Sequence, residues 1–151
     1  MRKSLSAIFA MALLSSPAFA GDTANHTVTV TVAAVNEVAI VGGNVSLNIG
    51  SSYAASDATT ADLTWSTNES GKKITVVTDL TTIDYPLVVT ATSVTGGTAA
   101  GAVTVSDTAQ DLVTGISLTD GTADLSYSAS ATAGDGTGVE AHTVTYTILA
   151  S

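Results

Sequence analysis

The chain has 151 residues and no cysteine, with four basic and thirteen acidic residues and a formal net charge of −9 at pH 7. The negative balance makes nucleic acid and an anionic membrane poor partners, because both would repel this surface. No disulfide can stabilise a cysteine-free fold, so the chain has to bury a hydrophobic core of its own.

The first twenty residues are predicted to be a Sec signal peptide. Arg2 and Lys3 form a positive start, the apolar run AIFAMALL covers residues 7–14, and SSPAFA ends in a cleavage site at Ala20. No later run approaches the roughly 18 apolar residues of a membrane helix, so we expect no transmembrane segment in the mature chain. We expect a secreted protein, extracellular or on the cell surface. Cleavage leaves two basic residues against thirteen acidic ones, a side-chain balance of −11.

In the mature chain, short runs rich in valine and threonine alternate with turns of Gly, Asn, Asp and Ser. This spacing predicts an all-β fold: one antiparallel β-sandwich domain over residues 21–151, Ig-like or jelly-roll, with about nine to ten short strands. The predicted strands are 26–33, 37–41, 45–49, 60–66, 73–80, 85–93, 101–107, 111–117, 122–132 and 141–149.

Two local patterns refine this prediction. Residues 51–59 are expected to form a loop of small residues, and the turn at residues 68–71 is expected to close a hairpin. The run TADLTWS recurs as TADLSYS and places Trp65 and Tyr127 at equivalent positions, which favours two structurally related hairpins. Both aromatic side chains alternate with leucine, so we expect them in the core and not on an exposed sugar-stacking platform.

The run HTVTVTVA, here called the Val/Thr segment (His26–Ala33), is the main functional clue. It places valines on one face and threonines on the other, with no proline or glycine and no charge beyond a His26 proton. Such a flat segment suits β-strand addition, in which the backbone provides affinity and alternate side chains fill a groove. The strand 141–149 is nearly as suitable, and within a monomer both could instead pair with each other or with core neighbours. The expected interface residues are His26, Val28, Val30, Val32, Val144, Tyr146 and Ile148.

The leader, the Val/Thr segment, the cysteine-free sandwich and the closing TVTYTI strand together resemble subunits of secreted bacterial or archaeal surface filaments. These pilin-like and biofilm-matrix fibre proteins assemble by donor-strand complementation. The resemblance implies a structural subunit of an extracellular filament that polymerises head-to-tail with copies of itself, donating residues 21–33. The chain lacks the cysteine pair of chaperone–usher pilins, which favours a self-assembling matrix fibre. The alternative is a monomeric secreted or periplasmic adhesive or carbohydrate-binding sandwich.

No catalytic pattern is found, and we do not expect an enzyme. His26 and His142 are the only side chains that could act as bases at neutral pH, and both begin apolar strand faces. No cofactor is expected. Calcium is a candidate ligand because aspartates in glycine-rich turns can supply several oxygens, although solvated turn aspartates are the favoured interpretation. The calcium candidates are Asp107, Asp111, Asp120 and Asp135.

Three asparagines fit the acceptor pattern for N-glycosylation. They are Asn25, Asn44 and Asn68. The pattern has meaning only if the source organism has the glycosylation machinery.

Overall fold

Alternating apolar and polar residues form nine β-strands within the part of the chain that the computed structural model describes, Thr23 and residues 25–151. The predicted signal peptide lies outside the described residues. The strands are β1 (Asn36–Gly42), β2 (Ala54–Thr67), β3 (Lys72–Thr78), β4 (Leu87–Thr95), β5 (Thr98–Ala99), β6 (Ala102–Thr104), β7 (Gln110–Ile116), β8 (Thr119–Ser130) and β9 (Val144–Ala150).

The strands form two antiparallel sheets. The first sheet has the order β1-β2-β8-β4-β6 and the second has the order β5-β7-β3-β9. The inward faces of both sheets supply one hydrophobic core, so the predicted antiparallel β-sandwich is confirmed. Leu63 and Leu125 of the first sheet and Ile74 and Leu112 of the second are wholly buried there. Burial of a side chain of this size contributes about 1.5–3 kcal/mol.

The chain divides into two compact units, residues 1–32 and 33–151, and the nine strands all belong to the second. In the first unit, the described residues 25–32 form neither helix nor strand, and every one of them is exposed. The predicted strand 26–33 is therefore not formed, because a β-strand requires hydrogen bonds to a neighbouring strand.

The predicted hairpin at residues 68–71 is wrong. The turn joins β2 in the first sheet to β3 in the second, so the chain crosses from one side of the core to the other. The physical reason is that residues 61–67 of β2 are already paired on both sides, with β1 and with β8. No edge of this part of β2 is left for β3 to join.

Two further local predictions are corrected before β2. The expected loop at 51–59 is wrong from Ala54 onward, because β2 begins there. Ala54 pairs with Ser130 of β8. The predicted strand 45–49 does not form, although its side chains alternate between half-buried and exposed. The backbone of this run has no strand partner among the described residues.

The two TADL repeats pair with each other. Asp62 of β2 lies directly opposite Asp124 of β8, so the repeats run antiparallel about this point. The expectation of two related hairpins is wrong, because the strands that follow β2 and that flank β8 in sequence all lie in the second sheet. Trp65 and Tyr127 are buried, as expected, with 4% and 7% of their surface exposed.

Trp65 is accommodated by the absence of a side chain across the sheet. Its register partner on β8 is Gly121, and a Cβ placed on Gly121 would overlap the indole ring. Gly121 has no positive φ, so space and not backbone conformation requires glycine here.

We expect Gly121→Ala to lower the free energy of unfolding by about 1–3 kcal/mol, because the indole has to leave its packed position. The measurement is denaturant unfolding followed by the fluorescence of Trp65, the only tryptophan. Gly43→Ala is the matched control, since a Cβ at Gly43 meets no atom within 4 Å. Equal denaturation midpoints for the two variants would contradict the proposed packing of Trp65 against Gly121.

Candidate functional site

The four sheet edges of the sandwich differ in their capacity to accept another strand. The edge strands β5 and β6 have only two and three residues, and β1 carries Glu37 and ends at Gly42. In contrast, β9 has seven residues and contains no charged residue, proline or glycine. Short length and charge are the usual protections against edge-to-edge pairing. Within the described residues, β9 is therefore the least protected edge.

The register of β9 shows which backbone groups are available. The N–H of Asp79 donates to the carbonyl of Thr143 at 3.3 Å, and the N–H of Ser151 donates to the carbonyl of Gly71 at 2.9 Å. Hydrogen-bonded and non-bonded pairs alternate along an antiparallel ladder, so the even-numbered residues of β9 direct their backbone groups away from β3. No described strand pairs with that side. The residues concerned are Val144, Tyr146, Ile148 and Ala150.

Three of the predicted interface residues thus occupy one edge. Val144, Tyr146 and Ile148 pack their side chains against the core, half-buried, and present their backbone groups to the open side of β9. The other predicted interface residues belong to the first unit and are all exposed. Exposed fractions there are 72% for Val28, 81% for Val30 and 79% for Val32.

A groove with a volume of about 1040 Å³ lies beside the beginning of β9. All four tyrosines of the chain line it, and Leu87 and Ala61 contribute apolar surface. The hydroxyls of Tyr127 and Tyr146 are 2.5 Å apart, so one donates a hydrogen bond to the other. Burial raises the pKa of both phenols, which keeps them protonated. The four residues are Tyr53, Tyr85, Tyr127 and Tyr146.

Sequence reasoning missed this cluster of tyrosines. The four come from separate parts of the chain, and only the alternation around Tyr127 and Tyr146 indicated that two of them face inward. The tertiary fold brings Tyr53 and Tyr85 beside them, and no local sequence pattern predicts this.

One wall of the groove consists of residues 43–50, which pair with no strand among the described residues. Val45 and Leu47 pack half-buried side chains against the core, Ile49 is also half-buried, and residues 43–50 line the groove. The hydrogen bonds Gly43 N–H to Thr60 O and Tyr53 N–H to Gly50 O flank the run. Between them, the backbone of residues 44–49 makes no hydrogen bond to any described residue. This wall is held by side-chain packing and not by a sheet.

Glu140 holds another part of the groove lining in place. Its carboxylate accepts hydrogen bonds from the backbone N–H of Asp84 at 2.8 Å and of Tyr85 at 3.2 Å, and Nε2 of His142 lies 2.9 Å away. The Glu140 side chain is only 12% exposed. Burial opposes ionisation, but these donors outweigh it, so the pKa of Glu140 is lowered. His142 is held at the same place, with Nδ1 3.3 Å from the Thr78 hydroxyl oxygen.

The start of the second unit is held at the other end of the sandwich. The Asn68 side chain donates to the carbonyl of Ala33 and accepts from the N–H of Val35, both at 2.7 Å. Asn68 follows β2 directly, at the end where Lys72 pairs with Ala150 of β9. The chain therefore enters the sandwich near the last residues of β9, whereas the groove lies near its first residues.

The candidate modification sites differ in their surroundings. All three asparagines are exposed, but the side-chain amide of Asn68 is committed to Ala33 and Val35. Asn25 and Asn44 make no side-chain hydrogen bond to a described residue. Asn44 stands on the wall of the groove.

The calcium candidates are not brought together. Asp111 pairs with Lys73 at 2.9 Å, and Asp135 accepts the backbone N–H of Thr132 at 2.6 Å. Over Thr23 and residues 25–151, no group of three or more acidic or histidine side chains is placed to hold a metal ion. Asp107 and Asp120 lie at separate exposed positions.

We expect Glu140→Gln to destabilise the protein by about 1–2 kcal/mol near neutral pH, because two N–H donors lose a charged acceptor. The folded pKa of Glu140 lies below its ordinary value of 4.5, so its contribution is present above that value and disappears as the pH falls through the folded pKa. The difference in unfolding free energy between the variant and the natural chain should therefore shrink below pH 4.5.

Glu37→Gln, at an exposed position on β1, is the matched control for this experiment. It removes the same charge from the chain without touching the wall of the groove. Equal effects of the two substitutions would contradict the anchoring role of Glu140.

Comparison with protein-family models, with curated proteins and with solved structures gave no significant match. The described residues include no helix that is long and apolar enough to cross a membrane. The arrangement of edges, groove and exposed segment is consequently the basis for assigning a function.

Proposed function

We propose that this protein is the structural subunit of an extracellular filament, and that each copy donates its Val/Thr segment to the next copy as a β-strand. The observation that carries this proposal is the state of residues 25–32, which have the alternation of a strand, no strand partner and exposed valines. Burial of each of these valines would contribute about 1.5 kcal/mol or more. A partner with an open sheet edge would supply both the burial and the backbone hydrogen bonds.

Charge supports association through this segment. The mature side-chain balance of −11 makes close approach of two copies unfavourable over most of their surfaces. The Val/Thr segment carries no carboxylate, so it can approach a second copy without bringing a further negative charge into the contact.

Donation through one surface and acceptance through another gives a heterologous contact. Contacts of this kind generate an open filament when the rotation between copies does not close a ring. Export through the predicted leader would place assembly outside the cell, where the cleaved chain starts close to His26. The proposed role is mechanical and requires no catalytic residue.

A second candidate function is carbohydrate binding by a monomer. It is favoured by the four tyrosines that line one groove, of which Tyr53 is 48% exposed. Aromatic faces at a partly open surface can stack on sugar rings. In this alternative, glycan binding would be unaffected by changes in the Val/Thr segment, and purified protein would remain monomeric.

We expect Val30→Asp to abolish filaments and Thr31→Asp to leave most of them, because only the valine face would enter a groove. Both substitutions add one carboxylate to adjacent exposed residues of the same segment, so net charge is matched. The measurement is electron microscopy and light scattering of the purified mature protein. The melting temperature of the dispersed subunit should be the same for both, since neither residue belongs to the sandwich unit.

Deletion of residues 21–32 provides a second check and leaves Ala33 in place as the acceptor of the Asn68 amide. We expect a folded protein that no longer forms filaments. Filaments that persist in this deletion, or in Val30→Asp, would refute strand donation by the Val/Thr segment.

A further inference from the structure

We infer that the Val/Thr segment of one copy is received by the open edge of β9 in a second copy, at residues Val144–Ala150. This inference rests on the proposed function and identifies the acceptor site. It follows from the backbone hydrogen bonding, the burial and the charge of β9.

The backbone of β9 offers a ladder of the right length. Every second residue of this seven-residue strand, four in all, directs its backbone N–H and C=O to the open side, and the strand spans about 20 Å at 3.4 Å per residue. Residues 26–32 also number seven, and their valines and threonines alternate with the same period of two. An added strand can therefore satisfy the outward N–H and C=O groups of β9 along its whole length.

The open side of β9 has no hydrogen-bonded strand among the described residues, although β1, the edge of the other sheet, lies close to β9. On β3, which lies between β7 and β9, the inward-facing Ile74 and Val76 are 0% exposed. On β9 the inward-facing Val144, Tyr146 and Ile148 reach only half-burial, although they pack against the same core. A strand added beside β9 would place its own inward face in this layer.

The chemistry of the two strands is complementary on both faces. Val28, Val30 and Val32 would extend the apolar layer formed by β9, and the threonines of the segment would lie beside Thr145 and Thr147 on the outer face. Threonines on neighbouring strands form favourable cross-strand pairs. Neither strand contains an acidic residue, whereas the other seven-residue edge, β1, carries Glu37.

The groove lies at the beginning of β9, where the proposed acceptor edge ends. It adjoins Val144 and Tyr146, and its wall at residues 44–49 has no backbone hydrogen bonds to described residues. Chain that extends past the beginning of β9 would enter this groove and lie against the Tyr127–Tyr146 hydroxyl pair. The groove is thus the place where residues flanking the donated strand would be bound.

Disulfide crosslinking tests the acceptor, because the natural chain has no cysteine. Thr29 is the middle residue of 26–32 and Thr147 is the middle residue of β9, so Thr29→Cys and Thr147→Cys would meet for either direction of the added strand. The two full-length mature variants are mixed, one of them tagged, and oxidised under assembly conditions. We expect a disulfide-linked dimer of tagged and untagged copies, and its loss when Val30→Asp is added to the Thr29→Cys chain.

The matched control pairs Thr29→Cys with Ala39→Cys, an exposed position in the middle of β1. A crosslink to Ala39→Cys in place of Thr147→Cys would overturn the assignment to β9 while leaving strand donation intact. Filaments that form without a crosslink at position 147 would also overturn it. Failure of the proposed function itself looks different, because filaments would then persist in Val30→Asp.

Discussion

The pairing of backbone N–H and C=O groups is the constraint on which this structure depends. A strand inside a sheet has two rows of such groups and satisfies both, whereas an edge strand satisfies one. In the second sheet, β3 is satisfied on both sides and its inward side chains are wholly buried, while β9 is satisfied on one side and its inward side chains are not. β9 thus lacks a hydrogen-bonded strand on one side, and its inward side chains are less completely buried than those of β3.

The pairing of β2 changes along its length. β1 pairs with β2 only from Ala61 onward and ends at Gly42, where a positive φ turns the chain and a Cβ would overlap the backbone of Thr60. The earlier half of β2 continues beside β8 alone, past a bulge between Asp57 and Ala61. Asp57 stabilises this bulge by accepting from the N–H groups of Thr59 and Thr60, bonds that lower its pKa. Ala61, the β2 residue opposite Gly42, lines the groove, so the groove lies beside the end of the β1–β2 ladder.

Two side chains fix opposite ends of the sandwich. Glu140 ties the loop before β9 to residues 84 and 85, which sets one wall of the groove. Asn68 holds Ala33 and Val35 beside the turn that follows β2. Because these anchors lie at opposite ends of β9, the point where the chain enters the sandwich is separated from the groove. The head-to-tail contact that we propose would use different features at the two ends of one copy.

The sequence by itself determined the all-β class, the approximate positions of most strands and the burial of Trp65 and Tyr127, because alternation with a period of two records which side chains face a core. It could not determine pairing. Residues 45–49 and 26–32 alternate as clearly as β3 or β8, yet neither run has a strand partner among the described residues. The turn at residues 68–71 gave a hairpin signal, but β2 had no edge left to offer. Only the tertiary structure decides which backbones meet, because hydrogen bonds between strands join residues far apart in the chain. That decision leaves β9 with an open edge and brings the four tyrosines into one groove.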